Sequence, residues 1–227
     1  MHSAGLAIAF AAADCGDVIR LGDGTSTDGG AGTSGCQGGH VAAGEVLWIG
    51  DSWVLVTGTQ RTNVRDRARA AGTIGPNEDY SNSAAAAATM ADIAKQYVTQ
   101  EAGATKVKVL IMDGGGWDLY VNAGGSATAT SVVSTFNQHL ATVASDGTVQ
   151  QIIYYLVPDT GSANVGAVRQ SMQQACAASP VPCHFLDLQT FWAGHPEYSN
   201  GIVPSDSGAQ VIGDQIWAIM QQNCIAQ

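Results

Sequence analysis

The chemistry this chain can offer gathers where apolar strands end. "VLWIGDSWV" (46 to 54) is a run of β-formers that breaks at Gly50-Asp51-Ser52. A strand ending this way sets a hydroxyl at the rim of a sheet, within reach of a substrate. Three other segments carry small or polar residues: "SNSAAAAATM" (81 to 90), "DGGGWD" (113 to 118) and "GHPEYSNGIVPSDSG" (194 to 208). Small residues at strand-to-helix junctions let backbone N–H groups approach a developing oxyanion. Together they describe acyl chemistry at Ser52, supported by backbone donors.

A serine hydroxyl ionises far above neutrality and needs a base within hydrogen-bond reach. His2 and His40 lie in the N-terminal tail. His139, in "FNQHLATVAS", is helical, and His184 opens a strand beside Cys183; both read as structural. His195, in "AGHPEYSN", stands eight residues before Val203 and is the candidate base, with Glu197, Asp206 or Asp118 to orient it. The competing reading has His195 capping a turn or packing on Trp192. No Cys-x-x-Cys or His/Cys cluster has metal spacing, and no motif calls for a cofactor.

Two kinds of periodicity alternate to position these residues. Strand-like runs occur at "EVLWIG" (45 to 50), "KVKVLIM" (106 to 112), "QQIIYYLV" (150 to 157) and "HFLDL" (184 to 188), with a weaker one near "EDYSNS" (78 to 83). Helical patterns lie near 62 to 71, 84 to 101, 128 to 144 and 164 to 178. A last helix runs from Ser207 to Gln222, where Ala209, Ile212, Ile216 and Ile219 recur at the spacing of a buried stripe. Strand-helix alternation with near-continuous apolar strands predicts a three-layer α/β/α sandwich of about five parallel strands.

In order, "IGDSW", the small-residue helix start, "GGWD" and "NGIVPSDSGAQVIGDQIW" resemble the four sequence blocks of the SGNH (GDSL-type) hydrolases, from about Glu45 to the C-terminus. The resemblance implies a flavodoxin-like fold, Ser52 as nucleophile, and hydrolysis of acyl esters: an acetylated glycan, a lipid or a polyester. It implies oxyanion donors at the Ser52 N–H, among Ala85 to Ala88 (Ala87 taken as the donor), and at Trp117, which stands where the family has asparagine. Asp51, Gly115, Gly116 and Asp118 are supporting positions. In the last block the family pattern is Asp-x-x-His-Pro, and this chain has Asn200 and Val203 at the two triad positions. Two functional classes stay open: a serine ester hydrolase weakened by the missing base, and a catalytically inactive relative that binds a glycan or a protein.

The remaining features bound these readings. The 227 residues are 45% hydrophobic and 12% charged, with 28 glycines and a net charge of −10. An acidic chain without a basic stripe argues against nucleic acid and anionic membranes as partners. Residues 45–227 read as one domain. Residues 22–44 read as a Gly/Ser/Thr-rich linker. Residues 1–21 contain "LAIAFAAADCG", a truncated export signal or a lipoprotein signal with Cys15 as the lipid anchor, and too short to span a bilayer. No Lys or Arg precedes that run, and Asp14 sits where a small residue is expected, so both readings stay open. Among five cysteines, Cys176 and Cys183 bracket "AASPVP" and suit a short disulfide loop. Cys224 pairs with Cys36, or leaves it for Cys15. Such usage favours an exported, extracellular or cell-surface protein.

Overall fold

The apolar runs become neighbouring strands of one sheet. A computed structural model describes residues 41–121, 126–159 and 165–226. In it β1 (Val46–Ile49), β2 (Ser81–Asn82), β3 (Val109–Met112), β4 (Gln151–Leu156) and β5 (Cys183–Asp187) lie in the order β2-β1-β3-β4-β5. Every pairing is parallel. All residues of β1 and β3 are buried, which explains why these runs show no polar alternation. On the helical layers α2 (Thr59–Ala71) packs on α8 (Asp206–Gln222), and α5 (Ser126–Asp146) packs on α3 (Met90–Glu101) and α6 (Val165–Ala177). This is the expected α/β/α sandwich with flavodoxin-like strand order. That order reverses between β1 and β3, so the crevice for a ligand lies at their carboxyl ends.

Two boundaries differ from the sequence reading. The helix expected from residue 84 begins at Met90. Thr89 and Asp92 form a reciprocal capping box there, and the alanines before it make a turn closed by Ala88 N–H to Ala85 O at 3.3 Å. A run of alanines has high helix propensity, but here a tertiary contact holds it in another conformation. The linker expected to reach residue 44 yields to the core earlier, since Val41 and Ala43 are buried. Cys176, on α6, and Cys183, at the start of β5, form the expected disulfide with a Cα–Cα distance of 5.3 Å. Closing so short a loop contributes about 2 kcal/mol by chain entropy. The segment 1–21, the linker up to residue 40, Cys15, Cys36, His2 and His40 lie outside the described residues. Among the described residues, no helix is long and apolar enough to cross a membrane.

Candidate active site

Ser52 begins α1 (Ser52–Leu55), directly after β1. The Asp51 carboxylate accepts the Trp53 N–H at 2.8 Å and caps this turn, so the Ser52 N–H has no helical acceptor and is available to a ligand. The approach to Ser52 is held from both sides. Gln96, on α3, accepts the Gly50 N–H at 2.9 Å and donates to the Gly50 carbonyl at 3.0 Å. Buried Gln60, on α2, donates to the Trp53 and Val54 carbonyls at the end of the turn. Gly50 is required by space: a Cβ there would lie 1.9 Å from Asp113 Oδ1 and 2.5 Å from Val54 Cγ2.

The second block supplies a donor aimed at the serine. The Ala87 N–H points to Ser52 Oγ at 3.2 Å. Ala87 has φ 57°, a left-handed conformation that costs an L-residue about 1 kcal/mol and glycine nothing. The alanine thus holds a backbone geometry that glycine reaches at no cost.

In the third block, Gly116 and Trp117 open α4 (Gly116–Val121), and both line the cleft beside Ser52. Gly115 precedes them with φ 87°. The Trp117 ring stacks on Tyr120 with centroids 5.7 Å apart and planes at 29°. Trp117, the expected third oxyanion donor, gives the cleft an aromatic wall. Asp118 Oδ2 accepts the Met90 N–H at 2.8 Å, which ties α4 to the start of α3. Burial raises the Asp118 pKa above the usual carboxylate value.

Behind the serine lies a carboxyl pair of which sequence reasoning singled out only Asp51. The Asp51 N–H donates to Asp113 Oδ1 at 2.9 Å, and both side chains are buried. Asp113 Oδ2 has no hydrogen-bond partner among the described residues. Burial, and then the Asp51 charge, push the Asp113 pKa well above the ordinary range. Burial and the neighbouring Asp51 charge thus favour the protonated form of Asp113. Its only trace in the sequence is an acid at the end of a fully apolar strand.

The last block forms a hairpin. β6 (Ser199–Asn200) pairs antiparallel with β7 (Val203–Pro204), with Asn200 opposite Val203 and Gly201 turning at φ 64°. The Trp53 indole donates to the Ile202 carbonyl at 2.9 Å, and the Trp192 indole, from α7 (Gln189–Trp192), donates to Ser199 Oγ at 2.9 Å. Val203 lines the cleft with Ser52, while Asn200 is exposed.

His195 is not among the residues that line this cleft. Its Nδ1 meets Glu197 Oε1 at 2.8 Å, and its ring stacks on Tyr198 at 4.5 Å with planes at 7°. Tyr198 in turn packs edge-on against Trp192, and the Ser205 hydroxyl donates to the Glu197 carbonyl. Glu197 is thus the carboxylate beside His195, but the pair belongs to an anchored surface turn. Asp206 opens α8, at the end of the hairpin. Among the described residues, no imidazole or carboxylate hydrogen-bonds the Ser52 hydroxyl. His139 is buried against the edge of Tyr97, and His184 bonds Gln151, so both are structural.

The cleft lies between Ser52, Trp53, Trp117, Tyr120, Val157 and Val203. No family model matches this sequence, and no curated protein matches it. Solved structures do. A mutant acetyl esterase solved with an acetate ion aligns with a TM-score of 0.64 at 18% identity, over 78% of this chain and 96% of its own. A carbohydrate esterase of family 3 from Talaromyces cellulolyticus aligns at 0.62 and 20% identity, over 78% and 96%. A protein from Desulfitobacterium hafniense assigned to the G-D-S-L lipolytic family aligns at 0.59 and 16% identity, over 77% and 98%. The chain therefore has the fold of the SGNH/GDSL-type esterases, as its sequence blocks implied.

Proposed function

We propose that this chain binds acyl esters in the Ser52 cleft and lacks the general base for efficient turnover. The observation that carries this reading is the pairing of Val203 with Ser52 on the cleft wall, while His195 is held by Glu197 and Tyr198. The ester carbonyl oxygen would accept from the Ser52 and Ala87 N–H groups, with the acyl chain against Trp117, Tyr120 and Val157. Among the described residues, no imidazole or carboxylate hydrogen-bonds the Ser52 hydroxyl to take its proton. In a comparable triad, loss of the histidine costs on the order of 10⁶ in kcat, leaving roughly 10³–10⁴ over water from oxyanion stabilisation and binding.

A second reading, a working serine esterase, is favoured by the Ala87 N–H aimed at Ser52 Oγ and by esterase neighbours. One experiment separates the two. The purified protein is titrated with dissolved ethyl hexanoate, following tryptophan emission, and then assayed for p-nitrophenyl butyrate hydrolysis and fluorophosphonate labelling beside Ser52→Ala. The binding reading expects an emission shift with slow labelling and turnover. Rapid labelling at Ser52 with kcat near the enzymatic median of about 10 s⁻¹ would establish the esterase instead. Export, with anchoring at Cys15, is part of the proposal; the Cys176–Cys183 disulfide supports an oxidising compartment.

A further inference from the structure

We infer that the mouth of the Ser52 cleft is a docking rim for a water-insoluble, uncharged aliphatic ester surface, from which the acyl ligand enters. This rests on the ester-binding reading of the cleft and adds how the ligand is presented. Among the described residues, the exposed large hydrophobics are Leu55, Val56, Tyr120, Val121 and Ile202, with Val98 apart on α3. The first five all belong to elements that form the cleft. Leu55 and Val56 stand three and four positions after Ser52, hence on the face of α1 that carries the serine. Tyr120 and Val121 stand three and four positions after Trp117, on the cleft face of α4. Ile202 is the tip of the hairpin and lines the cleft itself. Single exposed apolar residues are ordinary, but a group ringing a ligand cleft marks a contact surface.

Charge and wall chemistry choose the occupant. Across α1, α4 and the β6–β7 hairpin the one charged side chain is Asp118, which is tied to Met90 N–H. A rim without cations on a protein of net charge −10 offers nothing to an anionic surface. The cleft wall offers a sugar little either. Apart from Ser52, buried Asp51, the Tyr120 hydroxyl and the Trp53 and Trp117 indoles, its side chains are aliphatic or proline, few polar groups for the many hydroxyls of a sugar. An uncharged aliphatic ester, presented at the surface of an oil droplet, fits both.

The test mixes the full chain with tributyrin droplets, floats them, and measures the protein left in solution. Phosphatidylglycerol vesicles and acetylated xylan particles serve as comparators. The rim variant Leu55→Ser/Val56→Ser/Val121→Ser, and Val56→Asp alone, are checked for native circular dichroism and for the ethyl hexanoate emission shift. Wild type should adsorb to droplets and not to the comparators. The triple variant should lose about ten-fold or more of that adsorption, given the apolar area removed, with ethyl hexanoate binding unchanged. Unaltered droplet adsorption in both variants, equal adsorption to vesicles or xylan, or a rim-dependent dimer by light scattering without adsorption would each overturn the rim. Rim-dependent adsorption without any ethyl hexanoate response would support the rim and overturn the cleft reading instead.

Discussion

On the β1 side of the cleft, Gly50 is clamped by Gln96, Asp51 is backed by Asp113, and the Ala87 N–H meets the Ser52 hydroxyl. On the hairpin side, Trp53 donates to the Ile202 carbonyl and Trp192 to the Ser199 hydroxyl, yet the side chain presented to the serine is Val203. The two sides share hydrogen-bonded support and differ in chemistry. On the proposed reading, the difference teaches that a backbone frame suited to an acyl ester can stand without a proton relay beside it. A ligand carbonyl would still find its donors, while the serine would find no base.

Breaking the better-kept side should give the largest effect. Gly50→Ala forces a Cβ to within 1.9 Å of Asp113 Oδ1, and overpacking of that severity should cost about 3 kcal/mol, read from urea denaturation. A loss below roughly 1 kcal/mol, the low end for overpacking, would mean that the β1 to β3 junction is softer than described.

The Asp113 effect is a change of slope with pH. An acid whose folded pKa is raised contributes fully to stability below the unfolded carboxylate pKa of about 4 and loses that contribution as pH rises towards its folded value. Burial and the Asp51 charge raise Asp113; Asp51 is raised as well, first by its own burial, and Asp118 and Tyr154 face the same region. Asn can keep the Asp51 N–H bond through its oxygen and cannot ionise. Asp113→Asn should therefore melt close to wild type near pH 4 and increasingly above it towards pH 8. A constant offset, or a wild type that is the more stable at pH 8, would contradict a protonated Asp113.

Smaller effects sharpen the contrast. His195→Ala should leave ester binding unchanged and alter stability by no more than about 0.5 kcal/mol, as befits an exposed turn residue. Loss of a measurable turnover in that variant would return His195 to the site. Ala87→Gly relieves about 1 kcal/mol of left-handed strain but adds 0.4–1 kcal/mol of unfolded-state entropy. Its net change in melting should be close to zero, with ester binding retained.

The legibility of these features follows their physical range. β1, β3 and β4 were plain in the sequence because burial on both faces writes an unbroken apolar run. α8 was plain because one buried face repeats along a helix. β2 is two residues long and left only a weak trace. The turn around Ala87 was hidden by alanine's helix preference, since the contact that fixes it comes from Ser52, far away in the chain. Ser52 and the vacated positions Asn200 and Val203 could be read from local blocks. Asp113, Gln60 and Gln96 could not, because their roles exist only once β1, α2, α3 and β3 are packed together. His195 had the right chemistry and the right loop, but Tyr198, three residues on, stacks on its ring and packs against Trp192.

The central claim, that an intact serine frame lacks only its base, is tested most directly by restoring both triad residues. Steady-state hydrolysis of p-nitrophenyl butyrate is compared for wild type, Asn200→Asp/Val203→His, and the same pair with Ser52→Ala. The hairpin register sets positions 200 and 203 opposite one another with Val203 on the cleft wall. The double variant should gain about 10² or more in kcat/KM, the scale of a positioned general base, and the third change should abolish the gain. A folded double variant with no Ser52-dependent gain would contradict the account, since the serine, its donors and the hairpin could not then form one site.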